Sequence, residues 1–330
     1  MRNSIKRTVF AAASLLMVGA AQAEEINFGI ISTESTQNLK VQWEPYLAEM
    51  SKKTGLDIKP FFASDYAGII EAMKFNKVQV AWYGNKAGME AVDRAEGEVF
   101  AQSVNADGTQ GYNALLLTQA DSKLNSVEDA LKCDKTLTFG NGDPNSTSGF
   151  LVPSVFVFGA NKVNVKDCYK AVTNANHETN LMAVANGQVD FATNNTENLA
   201  IIEAKDPETF KKLKVIWTSP LIPSDPLVWR KDLDQGTKDK LLSFFMGYGR
   251  HGSVEEVKAA REVLGVLRWQ SFKPSSNSQL FPIRILELNK SINKISSDAA
   301  MSQADKDAKI AELKAQQAEI EKMMAELPNT

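Results

Sequence analysis

The sequence is poor in the side chains that hold metal ions or form redox centres. Its 330 residues include two histidines, His177 and His251, and two cysteines, Cys133 and Cys168, with no Cys-x-x-Cys motif and no closely spaced histidine pair. Catalytic transition metals are usually held by such sets of nitrogen and sulfur ligands. We therefore expect no metal site and no cofactor, which argues against a metal-dependent phosphatase.

An excess of basic residues is also absent. The 37 Lys and Arg residues are outnumbered by 40 Asp and Glu residues, and the formal net charge is −3. Nucleic acids and anionic membranes attract basic surfaces, so we expect no nucleic-acid partner. Beyond residue 23, no uninterrupted apolar run is long enough for a membrane-spanning helix, and the sequence predicts a soluble product.

The first 23 residues have the layout of a secretory signal peptide. Arg2, Lys6 and Arg7 form a basic start, residues 8–20 form a short apolar stretch, and residues 21–23 form a small-residue cleavage site. We predict that the mature chain begins near Glu24, outside the cytoplasm. Loss of the three basic residues takes the formal net charge from −3 to −6.

The two cysteines fit an oxidising compartment. Cys133 and Cys168 each precede a predicted strand, residues 136–139 and 170–173, which would place both at the same end of one sheet. They are candidates for a disulfide. Two unpaired buried cysteines are the alternative.

The rest of the chain alternates strand and helix patterns. Such alternation favours mainly parallel sheets flanked by helices, and about three hundred residues are enough for two cores. The predicted strands are 26–31, 56–62, 78–83, 136–139, 170–173, 190–193 and 215–218, and the predicted helices are 37–53, 66–75, 86–95, 127–132, 148–158, 178–186, 237–247, 254–267 and 281–295.

We predict an α/β fold of two lobes, each a mixed, mainly parallel sheet flanked by helices. Lobe 1 is residues 24–118 plus 225–300, lobe 2 is residues 119–224, and residues 301–330 form a C-terminal helix. Residues 219–226 contain three prolines and are typical of a crossover or hinge. Polar clusters at the strand ends of both lobes indicate a ligand cleft between them.

One stretch, Gly140–Gly149, has the order of an anion site. A strand pattern runs into a glycine-rich turn, then Ser146, Thr147 and Ser148, then an apolar helix pattern. The first turn of a helix has backbone N–H groups without intrahelical partners and the positive end of the macrodipole. The alternative is an ordinary hydroxyl N-cap, which needs a single hydroxyl.

Six blocks of the sequence resemble the periplasmic phosphonate-binding proteins of ABC transporters. The blocks are Asn141–Phe150, Asp65–Gly68, Ala81–Asn85, His177–Asn180, Ala192–Asn198 and Ser224–Arg230. The resemblance covers nearly the whole mature chain and implies a type II periplasmic binding protein fold that closes about a hinge. This chain departs from the family pattern by one extra residue between the serine cluster and His177, in the loop around residues 160–166.

The resemblance also implies which residues bind the ligand. Ser146, Thr147 and Ser148 would hold the phosphonate. The amine end of an aminoalkylphosphonate would be bound by Glu197, Asp225 and His177, with Tyr66 and Tyr112 as cleft walls. The expected ligand is 2-aminoethylphosphonate, the expected partner is an ABC transporter permease, and the alternative ligand is another small oxyanion such as a phosphate ester, phosphite or phosphate.

Each of these residues has an ordinary structural explanation as well. Glu197 is also typical of the first turn of a helix, Asp225 of a turn before proline, and His177 of an N-cap neighbour. Tyr66 and Tyr112 are also typical of half-buried rings. An aminoalkylphosphonate is a zwitterion, so its site needs clustered donors at one end and carboxylates at the other, and Glu197 and Asp225 would supply the carboxylates.

A hydrolase and an interaction protein are the rival classes. Ser146 or Ser148 with His177 and Asp225 has the residue types of a nucleophilic triad, but no Gly-x-Ser-x-Gly motif surrounds either serine, and we expect no enzyme. The tail carries a heptad-like stripe, which predicts either packing along its own lobe or a homodimer. The stripe is Ile310, Leu313, Gln317, Ile320, Met324 and Leu327.

Overall fold

Two mixed β-sheets organise residues 23–327, which a computed structural model describes. The predicted signal peptide, apart from Ala23, lies outside the described residues. The strands are β1 Glu25–Ile30, β2 Asp57–Phe62, β3 Val80–Trp82, β4 Gly97–Asn105, β5 Gly111–Tyr112, β6 Ala114–Gln119, β7 Thr138–Gly142, β8 Ala171–Ala175, β9 Phe191–Asn195, β10 Leu213–Thr218, β11 Ile222–Pro223, β12 Pro226–Arg230 and β13 Trp269–Pro274.

Helices cover the faces of these sheets. They are α1 Thr36–Thr54, α2 Tyr66–Lys74, α3 Asn85–Arg94, α4 Val127–Ala130, α5 Val165–Cys168, α6 His177–Ala185, α7 Thr196–Lys205, α8 Pro207–Phe210, α9 Gln235–Gly247, α10 Val254–Val266, α11 Phe281–Ser296 and α12 Gln303–Glu326. A 3-10 turn spans Asn277–Leu280. None of the helices in residues 23–327 combines the length and apolar character that crossing a membrane requires.

The first lobe is built on a six-stranded sheet in the order β13-β4-β12-β3-β1-β2. Strand β1 pairs in parallel with β2 and β3, and the returning strands β12 and β13 pair antiparallel. Helix α1 begins at its N-cap Ser35 and ends at Gly55, whose φ of 70° favours glycine. Its apolar residues recur at helical spacing and pack with β1 in one core; they are Leu39, Trp43, Tyr46, Leu47 and Met50.

The second lobe is built on a five-stranded sheet in the order β10-β6-β9-β7-β8. Strands β8, β7 and β9 run parallel and end at the same edge. Strand β6 pairs antiparallel with β9, and β10 pairs antiparallel with β6. Its core stacks Phe139 on Phe191 with ring centroids 4.6 Å apart. Cys133 and Cys168 are joined by a disulfide. It lies near the starts of β7 and β8, at the opposite end of the lobe from Ser146, which follows the end of β7.

The boundary between the two lobes differs from the predicted one. Residues 114–118 were expected in lobe 1, but β6 pairs with β9 and β10 of the second sheet, so that prediction was wrong for this segment. The chain therefore crosses between Asn105 and Ala114 and returns between Thr218 and Pro226. The two connections pair as a short antiparallel ribbon, β5 with β11, which joins Tyr112 to Ile222.

The predicted helix 148–158 has a different form. It consists of two π-helical segments, Thr147–Leu151 and Ser154–Gly159, on either side of Pro153. Proline lacks the N–H that would continue a regular helical ladder, which accounts for the interruption. The π-helical turn widens the start of the segment at the cavity described below.

The C-terminal helix α11 lies against both lobes. In α11, Ile283 is buried in a core that contains Leu151 of the second lobe and residues of α2 and α3. Helix α12 packs on α11, where Gln317 Nε2 donates to Asn289 Oδ1 at 2.8 Å. The first part of the predicted stripe is thus half-buried on its own chain.

Candidate ligand-binding site

A cavity of about 450 Å³ lies between the two lobes. Strand ends from both sheets line it, in agreement with the rule that ligands bind beyond the carboxyl ends of parallel strands. Every residue predicted for ligand binding lies in this lining: Tyr66, Tyr112, Ser146, Thr147, Ser148, His177, Glu197 and Asp225.

Several helices begin at the cavity. Helix α2 begins at Tyr66, α3 follows Gly84, the π-helical segment follows Ser146, α6 begins at His177, and α7 begins one residue before Glu197. These N-termini place the positive ends of helix dipoles at the cavity. Such dipoles favour an anion, and no lysine is among the lining residues.

The hydroxyl cluster is held in place by hydrogen bonds to its oxygens. Ser146 Oγ caps the π-helical turn by accepting from Gly149 N at 3.0 Å, Thr147 Oγ1 accepts from Lys86 N at 2.8 Å, and Ser148 Oγ accepts from Asn195 Nδ2 at 3.2 Å. Because these contacts are made to the oxygen, they do not use the proton of the hydroxyl. The N-cap explanation is thus correct for Ser146 but does not account for the other two.

His177 lies beside this cluster. Its Nε2 is 3.4 Å from Ser146 Oγ and 3.4 Å from Ser148 Oγ. Burial lowers the pKa of His177 to about 4, so the ring is neutral at pH 7. His177 was expected at the amine end, and in the structure it lies beside the serine cluster. The reason is that β7 and β8 are parallel neighbours, which brings the start of α6 next to the π-helical turn.

Two carboxyl groups lie at the other end of the cavity. Tyr112 Oη donates to Asp225 Oδ1 at 3.1 Å, and both residues are buried. Burial raises the pKa of Asp225 well above its usual range, and the neighbouring Glu197 raises it further. Burial also raises the pKa of Glu197, while the positive charge of Arg268 opposes this. Such a pair is stabilised by a cation between its members.

Trp82 lies close to the same carboxyl pair. Its indole N–H is close enough to lower the pKa of Asp225. No group in residues 23–327 accepts a well-formed hydrogen bond from this N–H. Tyr66 completes the wall between the two ends, since its hydroxyl contacts Ser146 and its ring is buried. The predicted site residues thus divide into a donor end and a carboxylate end of one cavity.

The hydrolase alternative finds no supporting geometry here. Ser146 and Ser148 share one nitrogen of His177, and Asp225 accepts from Tyr112 rather than orienting the histidine ring. A nucleophilic triad requires a base held by a third group. No cluster of three or more His, Cys, Asp or Glu side chains in residues 23–327 has the arrangement to hold a metal ion.

Residues 28–280 match the family model described as "ABC transporter, phosphonate, periplasmic substrate-binding protein". This chain belongs to that family.

Relatives with this description cover nearly the whole chain. The phosphonates-binding periplasmic protein of Escherichia coli (strain K12) is 53% identical over 318 residues, which are 96% of this chain and 92% of the relative. A crystal structure of a binding protein component of an ABC phosphonate transporter from Pseudomonas aeruginosa is 53% identical, has a TM-score of 0.89, and covers 92% of this chain and 99% of that one.

A more distant relative is the phosphate-import protein of Mycolicibacterium smegmatis. It is 28% identical over 244 residues, which are 71% of this chain and 74% of the relative. The relatives of this chain thus include a protein named for phosphate as well as proteins named for phosphonates.

Membership in this family gives the protein its general role. It is a periplasmic phosphonate-binding protein that works with the permease of an ABC transporter, and its fold is the type II periplasmic binding protein fold. Proteins of this family are transport receptors and not enzymes.

The cavity of this phosphonate-binding protein also contains residues that the sequence did not indicate. Both carboxylate oxygens of Glu34 accept from Gln42 Nε2, at 3.1 and 3.0 Å, and burial raises the pKa of Glu34. A signal existed for this residue, since it follows Ser32 and Thr33 at the end of the first strand. The lining further includes Arg268 and the tryptophans Trp43, Trp82 and Trp269.

Proposed function

We propose that this protein captures aminoalkylphosphonates, with 2-aminoethylphosphonate as the preferred ligand, and delivers them to the permease. The proposal rests mainly on one observation, that a single cavity carries neutral donors at one end and two carboxyl groups, of buried Asp225 and half-buried Glu197, at the other. An aminoalkylphosphonate is a zwitterion with an anionic and a cationic end. Its charges match this division.

The donor end suits a phosphonate group that must later be released. Ser146, Thr147 and Ser148 each offer a hydroxyl proton, and the helix N-termini add backbone N–H groups. Charge-assisted hydrogen bonds to an anion are roughly twice as strong as neutral ones. A lysine or arginine at this end would add affinity, and neutral dipoles instead permit exchange with the permease.

The carboxylate end accounts for the proposed preference for an amine. An ammonium group between Glu197 and Asp225 would offset their mutual repulsion and their cost of burial. A ligand without the amine would leave those charges without a partner, and a lost partner for a buried charge costs about 2–5 kcal/mol. The preference for 2-aminoethylphosphonate over methylphosphonate is then roughly thirtyfold to several thousandfold.

A receptor for another small oxyanion is the alternative. The donor end alone is complementary to phosphate or phosphite, and one relative is named a phosphate-import protein. Calorimetric titration of the ligand-stripped protein with 2-aminoethylphosphonate, methylphosphonate, phosphite, phosphate and sulfate separates the two proposals. The aminophosphonate should bind most tightly. Phosphate binding as tight as that of the aminophosphonate would support the alternative.

We also propose that two chains associate through the exposed end of α12. Ile310, Leu313, Gln317 and Ile320 are half-buried along α11, whereas Met323, Met324 and Leu327 are exposed. A short apolar surface of this kind is available to a second copy. Sedimentation of a variant that ends at Ser302 tests this, because an unchanged number of subunits would exclude α12 as the contact.

Finally, we propose that residues 1–23 are removed on export to the periplasm. The family is periplasmic, and the N-terminal layout is typical of a signal peptide. Intact-mass measurement of the protein from a periplasmic extract should give a chain that begins at Glu24. A mass that includes the first 23 residues would contradict cleavage.

A further inference from the structure

Arg268 has an unusual backbone position at the edge of the cavity. It connects α10 to β13 and has φ of 60°, in the left-handed region that favours glycine and, to a smaller extent, asparagine. Arg268 N donates to Gly265 O at 3.0 Å, and its carbonyl accepts from Ala106 N at 2.8 Å. Non-glycine residues held in this region cluster at functional sites.

The guanidinium group of Arg268 is available for a ligand. The ion pairs of arginine in residues 23–327 are made by Arg94, Arg230 and Arg284, and Arg268 is exposed and makes none. Asp107, the acidic residue on the same rim, instead accepts from Thr109 N at 2.9 Å and from Thr109 Oγ1 at 2.7 Å.

Arg268 lies on the carboxylate side of the cavity. Its neighbour Trp269 packs against Trp82 with ring centroids 5.8 Å apart, Trp82 lies close to Asp225, and all four residues line the cavity. The positive charge of Arg268 also opposes the rise in the pKa of Glu197. The cavity of about 450 Å³ falls in the range that accommodates drug-sized ligands. A molecule as small as 2-aminoethylphosphonate leaves part of it unfilled.

We propose that Arg268 binds a carboxylate carried on the amine-bearing carbon of the ligand, so that the protein also accepts amino-phosphono carboxylates. This inference rests on the proposed binding of aminoalkylphosphonates. Such a ligand presents phosphonate, ammonium and carboxylate in sequence, which matches the serine cluster, the Glu197 and Asp225 pair, and Arg268. The planar guanidinium matches the geometry of a carboxylate through two parallel hydrogen bonds.

Two probes differ in this one group. They are 2-aminoethylphosphonate and 2-amino-3-phosphonopropionate, which adds a carboxylate to the carbon that bears the amine. Calorimetric titration of the full-length mature protein with both should show that Arg268→Asn binds the carboxylated probe about tenfold to a hundredfold more weakly than the parent does. The affinity of the same variant for 2-aminoethylphosphonate should change less than about threefold.

Two further variants control for folding and for charge. Asparagine and glycine both tolerate the left-handed backbone, so Arg268→Asn and Arg268→Gly should melt no lower than the parent. Arg268→Lys keeps the charge without the planar fork and should lose less affinity for the carboxylated probe. Raising the salt concentration should weaken binding of the carboxylated probe more than that of 2-aminoethylphosphonate, since an exposed charge is screened.

The outcomes separate the two proposals. If the parent protein does not bind 2-amino-3-phosphonopropionate, or if Arg268→Asn weakens both probes equally, the role of Arg268 is overturned while the proposed function stands. If neither probe binds the parent, the proposed function itself fails. A selective loss for the carboxylated probe in both neutral variants supports the inference.

Discussion

The carboxylate of Glu178, in the first turn of α6, accepts a hydrogen bond from the backbone N–H of Ser35 in the other lobe, with 2.5 Å between Oε2 and N. Its second oxygen accepts from Asn38 Nδ2 at 2.5 Å. In the same way Asp143 accepts from Tyr66 N at 3.3 Å, and Thr147 accepts from Lys86 N. Side chains of lobe 2 therefore cap the N-termini of α1, α2 and α3 in lobe 1.

These caps predict that closure of the lobes contributes to affinity. Glu178 is absent from the cavity lining, so Glu178→Gln should weaken 2-aminoethylphosphonate binding only by making closure less favourable. Loss of charge-assisted bonds worth about 1–2 kcal/mol corresponds to a fivefold to thirtyfold weaker Kd. Calorimetry measures this loss. Glu203→Gln, which changes an exposed glutamate of α7 in the same lobe, should leave the Kd unchanged.

Closure itself predicts a change in overall size. Residues of both lobes line the cavity, and we expect the lobes to rotate about the β5 and β11 connections when a ligand binds. Small-angle scattering should give a smaller radius of gyration at saturating 2-aminoethylphosphonate than without it. Identical curves would indicate a preformed site.

Ser146 and Ser148 should differ in their roles, because Ser146 also stabilises the fold whereas Ser148 serves mainly to bind the ligand. Ser148→Ala should cost about 1.5–3 kcal/mol of binding free energy and leave the melting temperature nearly unchanged. Ser146→Ala should in addition lower the free energy of unfolding by about 0.5–2 kcal/mol, because Ser146 caps the π-helical turn. Calorimetry and thermal melting measure both. A large loss of stability in Ser148→Ala with normal binding would show that the anion lies elsewhere.

Selectivity should depend on Glu197. Glu197→Gln keeps the shape of the side chain and removes its charge, so we expect a loss of about 2–5 kcal/mol for 2-aminoethylphosphonate and almost none for methylphosphonate. Competition titrations with the two ligands measure the difference. Equal losses for both would show that Glu197 supports the fold or the hinge and does not bind the amine.

The raised pKa values of Glu197 and Asp225 predict the dependence of stability on pH. Burial raises both, so in the native protein without ligand these two groups bind protons that the unfolded chain releases, and their contribution to the free energy of unfolding should rise as the pH falls from roughly 8 to 5. The lowered pKa of His177 makes an opposite contribution below about pH 6.5, and this contribution is common to the parent and Glu197→Gln. Chemical denaturation across this range measures the slope. Glu197→Gln should flatten it, whereas an unchanged slope would show that these carboxyl groups titrate normally.

The same groups predict the opposite dependence for binding. Protonation of Glu197 and Asp225 removes the charge that attracts an ammonium group, so the affinity for 2-aminoethylphosphonate should fall as the pH falls over the same range. The ionisation of the ligand affects its affinity for both proteins equally, so the difference between the parent and Glu197→Gln reports the protein groups alone. Parallel pH profiles for the two proteins would contradict a role for Glu197 in the effect.

Much of the fold, and the position of the serine cluster at the start of a helical segment, could be predicted from the sequence because the signals are local. The apolar spacing of α1 and the glycine-rich turn before Ser146 depend on neighbours a few residues away. The proposed ligand residues Glu197, Asp225, Tyr66 and Tyr112 were named from the family resemblance, since no local pattern identifies them.

Only the tertiary structure decided how distant segments meet. The hydrogen bond from Tyr112 to Asp225 joins residues 113 positions apart, and the contact of Glu178 with Ser35 joins residues 143 apart. Strand β6 is apolar and buried, and such a strand suits either sheet until its partners are known. The positions of His177, Glu34 and Arg268 around the cavity likewise follow from sheet order and lobe contact. These depend on pairing free energies between remote segments, which no local pattern of residues encodes.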